Sequence, residues 1–193
     1  MATAITALKP LDRHKRWTRQ DCAAMERAGI IKPESYELIE GEILLKVPKH
    51  SPHGRAIAYL SAALRHQFGV DFVLTETTID LRPEDNPTSE PEPDVIVVNI
   101  PLGELPLLIQ PAQIRFLAEV SNSTLDLDLE VKSNLYARSG IPEYWVLDIN
   151  KKEVHVHRKP LQGQYKSIST YARDESVSLM TAPNDEFPVS ELF

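Results

Sequence analysis

The chain has 193 residues and a formal net charge of −7, from 21 Lys and Arg against 28 Asp and Glu. This acidity argues against a protein that coats nucleic acid with many phosphate contacts, because that affinity depends on Lys and Arg. The one cysteine, Cys22, excludes an internal disulfide and a cysteine-based zinc cluster. The hydrophobic share of 42% and the length are typical of one globular domain.

The sequence shows no membrane or export signal. No apolar stretch approaches the roughly 20 residues of a membrane span. Residues 1–17 lack the apolar core of a signal peptide. Because a single cysteine also suits a reducing compartment, we expect a cytoplasmic protein that does not bind a membrane.

The N-terminal part predicts a short helix and then a β-hairpin. Thr18 can cap the helix, Asp21 occupies the capping-box position, and Gly29 ends the helix. Residues 36–47, YELIEGEILLKV, predict two short strands that turn at Glu40–Gly41.

Residues 51–69 predict a longer amphipathic helix. Ser51 is the expected cap and Pro52 the first helical residue, with Gly69 at the end. Apolar residues fall on one face at helical spacing: Ile57, Leu60, Leu64 and Phe68.

Apolar strands and a further helix follow. Residues 94–99 and 114–121 read as strands that are buried on both faces. A helix is predicted from about Leu125 to Ser139, and Gly140 and Pro142 end it. Three more strands complete the pattern: residues 143–148, 153–159 and 163–169.

This order of elements predicts an α/β or α+β fold. The strands form a central mixed β-sheet that is flanked by helices, with the hairpin at its N-terminal side. We assign residues 1–35 to an N-terminal extension with a short helix and residues 36–193 to the main domain.

Two carboxylates are unusual for their positions. Asp94 precedes a buried-type strand and Glu119 lies near the end of another. Such strands rarely carry a carboxylate unless it is paired or binds a metal. Two carboxylates about 4 Å apart repel by about 4 kcal/mol at an effective dielectric of 20. A divalent cation would turn this repulsion into attraction, and oxygen ligands favour Mg²⁺ or Mn²⁺ over Zn²⁺.

Lys132 lies on the helix that follows the second of these strands. It shares a helical stripe with Leu125, Leu129 and Tyr136, so its side chain is expected to lean toward the sheet. An ammonium close to a metal can orient or deprotonate the attacking water and offset charge that builds on a phosphate.

Simpler interpretations of these three residues remain open at this point. Asp94 could make a local turn, and Glu119 could form a buried ion pair with an arginine. Lys132 could be a surface residue paired with Asp128, four positions earlier.

Five further residues are weaker candidates. Glu37 and Glu42 flank the hairpin turn and could add a metal ligand, although solvent exposure is the preferred interpretation. His53 could contact a phosphate or the outer shell of the metal, or could cap or pack the helix. His155 and His157 project from one strand face, and we interpret that face as solvated because no third ligand is evident.

Three segments carry a resemblance to a known family: PEPDVIVV, FLAEVSNST and DLEVKSNLYARSGIPEYWVLD. They resemble the Uma-type family of "putative restriction endonucleases" within the PD-(D/E)XK nuclease superfamily. The similarity covers roughly residues 36–193, from the hairpin to the C-terminal FPVSELF. It implies a restriction-endonuclease-like core, a divalent metal and phosphodiester hydrolysis. It also identifies Pro93–Asp94 and Glu119 with the acidic motif of the family.

The chain departs from the superfamily pattern at one position. The lysine that usually follows the second acid by two residues is Ser121 here, and serine supplies no charge. The resemblance implies that Lys132, on the following helix, takes its place.

We therefore expect a Mg²⁺- or Mn²⁺-dependent endonuclease that acts on DNA. Asp94, Glu119 and the carbonyl of Val120 would bind the metal, and Lys132 would position a water for in-line attack on the phosphate. A homodimer is expected, because enzymes that cut both strands commonly work as symmetric dimers. The alternative, which Ser121 and the acidity favour, is an inactive nucleic-acid-binding or assembly module. A structural protein with ion-paired carboxylates is the third possibility.

Overall fold

The computed structural model describes residues 14–46 and 50–193. The helices are α1 (Arg19–Arg27), α2 (Ser51–Phe68) and α3 (Ser133–Arg138), and a π-helical turn, Leu127–Lys132, leads into α3. The strands are β1 (Tyr36–Ile39), β2 (Glu42–Leu45), β3 (Val73–Thr75), β4 (Val95–Val98), β5 (Ile114–Ser121), β6 (Glu143–Asp148), β7 (Glu153–Leu161), β8 (Gln164–Tyr171), β9 (Ser176–Leu179) and β10 (Ala182–Pro188). Within these two ranges, none of the helices has the length and apolar character that crossing a bilayer requires.

Six strands form a central mixed sheet in the order β3-β4-β5-β6-β7-β8. Only β5 and β6 run parallel, and the remaining neighbours are antiparallel. A parallel pair needs a crossover connection, which the π-helical turn and α3 provide. The hairpins β1–β2 and β9–β10 stand outside this sheet. The predicted mixed sheet with flanking helices and an N-terminal hairpin is confirmed.

The central sheet is covered on both faces. On one face, Leu60 and Leu64 of α2 pack in one apolar cluster with Phe116 and Trp145 of the sheet. On the other face, residues of α3 pack against alternate residues of the same strands, among them Leu135, Tyr136, Leu117, Tyr144 and Val146. Strand β5 therefore buries nearly every side chain. Burial on both faces explains its unbroken apolar sequence.

The N-terminal elements agree with the sequence prediction. Thr18 and Asp21 form the expected capping box at α1. The hairpin turns at Glu40 and Gly41, both of which have positive φ. Helix α1 packs on the hairpin through Cys22 and neighbouring apolar residues. The division of the chain after residue 35 stays a prediction.

The predicted cap of α2 was wrong by one residue. Ser51 is already helical, and His50 is the N-cap without a side-chain hydrogen bond to the first turn. Pro52 therefore occupies the second helical position. Proline lacks an N–H group, but no helical hydrogen bond is lost here, because the first N–H groups of a helix have no intrahelical acceptor. The predicted apolar stripe of Ile57, Leu60 and Leu64 is buried as expected.

The interpretation of a solvated face on β7 was wrong for His157. This side chain is 2% exposed and packs between the rings of Tyr144 and Tyr165. Its Nδ1 lies 3.2 Å from the hydroxyl of Ser133 at the start of α3. Because α3 covers this part of the sheet, His157 cannot reach solvent, whereas His155 stays partly exposed.

Candidate active site

A cleft of about 550 Å³ opens between the N-terminal hairpin, the start of α2 and the ends of β4 and β5. It brings together all four of the predicted site residues: Asp94, Glu119, Val120 and Lys132. Glu37, His53 and Asp128 also line it.

The antiparallel register of β4 and β5 brings the two predicted acids together. Val95 is paired with Ala118, so the next positions along the two strands are Asp94 and Glu119. Both are buried, with 5% and 4% of their surface exposed. Residues that lie 25 positions apart along the chain are thus neighbours at one end of the sheet.

Asp94 is held by a backbone donor and a histidine. Its Oδ2 accepts a hydrogen bond of 2.8 Å from the N–H of Val120. The same oxygen lies 3.4 Å from Nε2 of His53, at the first turn of α2. The carboxylate is therefore fixed relative to β5 and lines the cleft beside His53.

Lys132 bridges two carboxylates from different parts of the chain. Its Nζ lies 2.9 Å from Oε1 of Glu119 and 2.9 Å from Oε2 of Glu37. The hydroxyl of Tyr136 donates a further bond of 2.8 Å to the same Glu119 oxygen. The lysine is 4% exposed, so the interpretation of a surface lysine was wrong.

The π-helical turn positions this lysine. The N–H of Ser133 donates to the carbonyl of Asp128, five residues earlier, which widens the helix at this point. Asp128 and Lys132 are both buried in this turn, and Nζ lies 3.9 Å from Oδ1 of Asp128. Single π-helical turns occur frequently at functional sites.

Burial and charge oppose each other at these groups. Burial raises the pKa of the Glu119 carboxyl, whereas the nearby Lys132 ammonium lowers it. Burial has the larger effect, so the net shift of this pKa is well upward. Burial lowers the pKa of Lys132, but Glu119, Glu37 and Asp128 outweigh this effect, so the net pKa is raised and the amine stays charged. Five carboxylates line the cleft against two ammonium groups, Lys46 and Lys132, and this excess of negative charge attracts cations.

Sequence reasoning missed two members of this site. It favoured solvent exposure for Glu37, whose side chain is only 13% exposed and also accepts a bond from the N–H of Glu92. It treated Asp128 only as a surface partner of Lys132. The available signal was the spacing of Thr124, Asp128 and Lys132 by four residues each, which predicts one helical face.

Ser121, at the position of the missing lysine, takes part in a hydrogen-bond chain. Its hydroxyl lies 3.2 Å from that of Thr124, which donates to Oδ2 of Asp128 over 2.8 Å. Burial raises the pKa of Asp128. Ser121 therefore contacts the acidic cluster through neutral hydroxyls and supplies no cation. Glu42 is exposed and lies outside the cleft.

The donors in the cleft fit a hard divalent cation. The groups that line it around Asp94 and Glu119 are carboxylate oxygens, with no cysteine and one histidine beside Asp94. Mg²⁺ and Mn²⁺ prefer such oxygen ligands, completed by water. The paired acids would carry the ion, while Lys132 already neutralises part of the charge on Glu119.

Comparisons with known proteins identify a family and a similar fold. Residues 23–190 match the family described as "Uma2: Putative restriction endonuclease". The fold is similar to the "crystal structure of a putative nuclease belonging to DUF820 from Anabaena variabilis ATCC 29413". That match has a TM-score of 0.64 and 16% identity, and covers 87% of this chain and 95% of the other. At this identity the likeness concerns the fold. A search of curated proteins found no match.

Proposed function

We propose, from the premise that the chain belongs to the Uma2 family of "putative restriction endonucleases", that it is a metal-dependent endonuclease that hydrolyses DNA. The observation that carries this proposal is the meeting of Asp94 and Glu119 in one cleft beside Lys132. The fold and the family support a nuclease in general. The metal is inferred from the carboxylate oxygens of the cleft, and the DNA substrate is inferred from the family.

The metal would be Mg²⁺ or Mn²⁺, held by Asp94, Glu119 and the carbonyl of Val120. Its positive charge would offset the charge that develops on the phosphate during in-line attack. The N–H of Val120 fixes Asp94, so this carboxylate needs little reorganisation to act as a ligand. Such preorganisation is the main protein contribution to electrostatic catalysis.

Lys132 would act as a fixed cation and hydrogen-bond donor. Its raised pKa argues against a role as general base, because the neutral amine would be scarce at neutral pH. Glu37 and Glu119 hold the ammonium at the floor of the cleft. From there it can orient a water and stabilise negative charge on a phosphate oxygen. Glu37 is then a positioning residue for Lys132.

Plasmid cleavage tests this proposal. Purified protein with Mg²⁺ is expected to cut supercoiled DNA, and Asp94→Asn is expected to reduce the rate at least about 100-fold through loss of metal binding. Asp71→Asn is the matched control, because Asp71 is exposed in the turn after α2 and does not line the cleft. Cutting at the wild-type rate by the Asp94→Asn protein would overturn the assignment.

A second candidate is a nucleic-acid-binding or assembly module without catalysis. Ser121 in place of the motif lysine favours it. Calorimetric titration with Mg²⁺ and Mn²⁺ separates the two. Absence of metal binding, together with salt-sensitive retention of DNA, would support the inactive module.

The homodimer also remains a proposal. It rests on the need of an enzyme that cuts two strands for two active sites. Light scattering on the purified chain tests it, and the mass of a single chain at micromolar concentration would contradict it.

A further inference from the structure

We infer a second metal site, formed by Asp148, Glu153 and His155 at the end of the β6–β7 hairpin, which would bind a divalent transition metal such as Zn²⁺. One potential ligand atom from each residue lies within 4.8 Å of the other two. None of the three lines the cleft described above. The inference does not depend on the nuclease proposal.

The register of the hairpin places the three side chains on one face. Asp148 is directly opposite Glu153, and His155 lies two residues further along β7. Residues at this spacing point to the same side of a strand. α3 packs on the same face further along β6, against Tyr144 and Val146, and Asp148 is only 1% exposed.

The two carboxylates lack a cation within the part of the chain that the structure describes. Like charges directly opposite in an antiparallel pair are destabilising. Oδ1 of Asp148 accepts hydrogen bonds from the N–H groups of Asn150 and Lys151. Among residues 14–46 and 50–193, neither Asp148 nor Glu153 forms a salt bridge. A divalent ion would convert their repulsion into attraction.

His155 is arranged as a metal-ligating histidine would be. Its Nδ1 lies 3.0 Å from the hydroxyl of Thr170 on β8. Its Nε2 is shielded from solvent and has no hydrogen-bond partner among the described residues. Ligating histidines usually bond a neighbouring polar group through one ring nitrogen and leave the other for the metal. Thr170 thus leaves Nε2 available.

The donor set selects the kind of ion. One imidazole nitrogen and two carboxylate oxygens suit Zn²⁺ and similar transition metals, whereas Mg²⁺ prefers oxygen alone. Zn²⁺ ligands lie at about 2.0–2.2 Å from the ion, so the donors must close in slightly from their present spacing. Glu153 is partly exposed and free to rotate by that amount. Three protein ligands leave one position for water.

Titration of metal-free protein with Zn²⁺ tests the inference. We use the Asp94→Asn background, in which the cleft should no longer hold a metal, and expect one Zn²⁺ per chain with an increase in Tm. His155→Gln keeps a polar contact with Thr170 and should weaken Zn²⁺ binding at least about 100-fold. Glu153→Gln, at a partly exposed position, should also weaken it strongly. Excess Mg²⁺ should not displace the Zn²⁺.

His66→Gln is the matched control, since His66 is exposed on α2 and should leave Zn²⁺ affinity unchanged. Two results would overturn the inference: no Zn²⁺ binding by the Asp94→Asn protein, or wild-type affinity in both the His155→Gln and Glu153→Gln proteins. Circular dichroism of each variant confirms that it is folded. Failure of plasmid cleavage alone would bear only on the nuclease proposal.

Discussion

At the scale of single residues, the site depends on one buried lysine that lies within 3.9 Å of three carboxylates. Lys132 contacts Glu37 and Glu119 from the floor of the cleft. Removing one partner of a buried ion pair typically costs 3–5 kcal/mol, because the other charge is left uncompensated. In this cleft the loss of the ammonium would leave several such charges together.

Lys132→Met is therefore expected to lower the free energy of unfolding by about 3 kcal/mol in EDTA. Mg²⁺ or Mn²⁺ should raise the Tm of this variant by more than it raises that of the wild type, because the ion can replace the lost charge. Thermal unfolding with and without metal measures both effects. Lys151→Met, at an exposed position, is the control, and an equal stability of the two variants would contradict the expectation.

His157 makes stability depend on pH. Burial, and to a lesser extent His155, lowers its pKa to about 4 in the folded protein, against about 6.5 when unfolded. Between these values the unfolded chain binds the extra proton. The contribution of His157 to stability should therefore be complete above pH 6.5 and decrease as the pH falls toward 4. The total loss from this residue should be about 3 kcal/mol.

Urea unfolding between pH 7 and pH 4 measures this dependence. His157→Phe, which fills the space between Tyr144 and Tyr165, should flatten the pH profile in that range, while His66→Gln should retain it. A profile of His157→Phe that parallels the wild type would show that other groups cause the acid sensitivity.

At the scale of elements, one carboxylate connects the central sheet to the C-terminal hairpin. Oε1 of Glu143 accepts hydrogen bonds from the indole of Trp145 and from Nε of Arg158, at 2.9 and 2.8 Å. Its Oε2 accepts one of 2.7 Å from the N–H of Met180, next to β9. Glu143 is 1% exposed, so it is a buried acceptor shared by donors from β6, from β7 and from the residue after β9.

Glu143→Gln is expected to destabilise the fold by about 2–4 kcal/mol. The NH2 group of the new amide would face one of these donors, so a buried donor would lose its acceptor. Arg158 would also lose its counter-charge. Chemical denaturation measures the change, and Glu186→Gln on the exposed side of β10 is the control. A change within about 0.5 kcal/mol would disprove this role.

Most helices and strands were predictable from the sequence. The features that were not predictable depend on contacts between elements that are distant along the chain. The capping box of Thr18 and Asp21 is a local pattern, so the sequence sufficed to predict α1. The π-helical turn was not predictable, because its residues suit an ordinary α-helix equally well. Its geometry depends on the burial of Asp128 and Lys132 against the sheet, which is a property of the packed molecule.

At the scale of the whole molecule, the site assembles from four separated stretches of chain. Asp94, Glu119 and Lys132 could be selected from the sequence because charged residues are rare in buried elements. Glu37 could not, because its burial depends on the hairpin lying over the cleft. His157 was misjudged for the same reason, since strand alternation identifies a face but not the helix that covers it.

The charge of the whole chain leads to a prediction for DNA binding. With a net charge of −7 and five carboxylates lining the cleft, the protein should bind duplex DNA weakly in EDTA and more tightly with Ca²⁺. The double variant Asp94→Asn/Glu119→Gln should bind more tightly than the wild type in EDTA, because two negative charges are removed. Fluorescence anisotropy of a labelled duplex measures this. Weaker binding by the double variant would contradict the expectation.

The π-helical turn makes the segment before α3 one residue longer than a regular α-helix would be. A turn of this kind contains one residue more than regular α-helical bonding requires. Glu130 lies on its exposed side, and deleting it would let ordinary α-helical bonding close while both ends keep their orientation. Lys132 and Tyr136 would then still face Glu119. We therefore expect the protein to fold after deletion of Glu130, which thermal unfolding of the variant measures. In a regular helix, the same deletion would rotate the following side chains by about 100°.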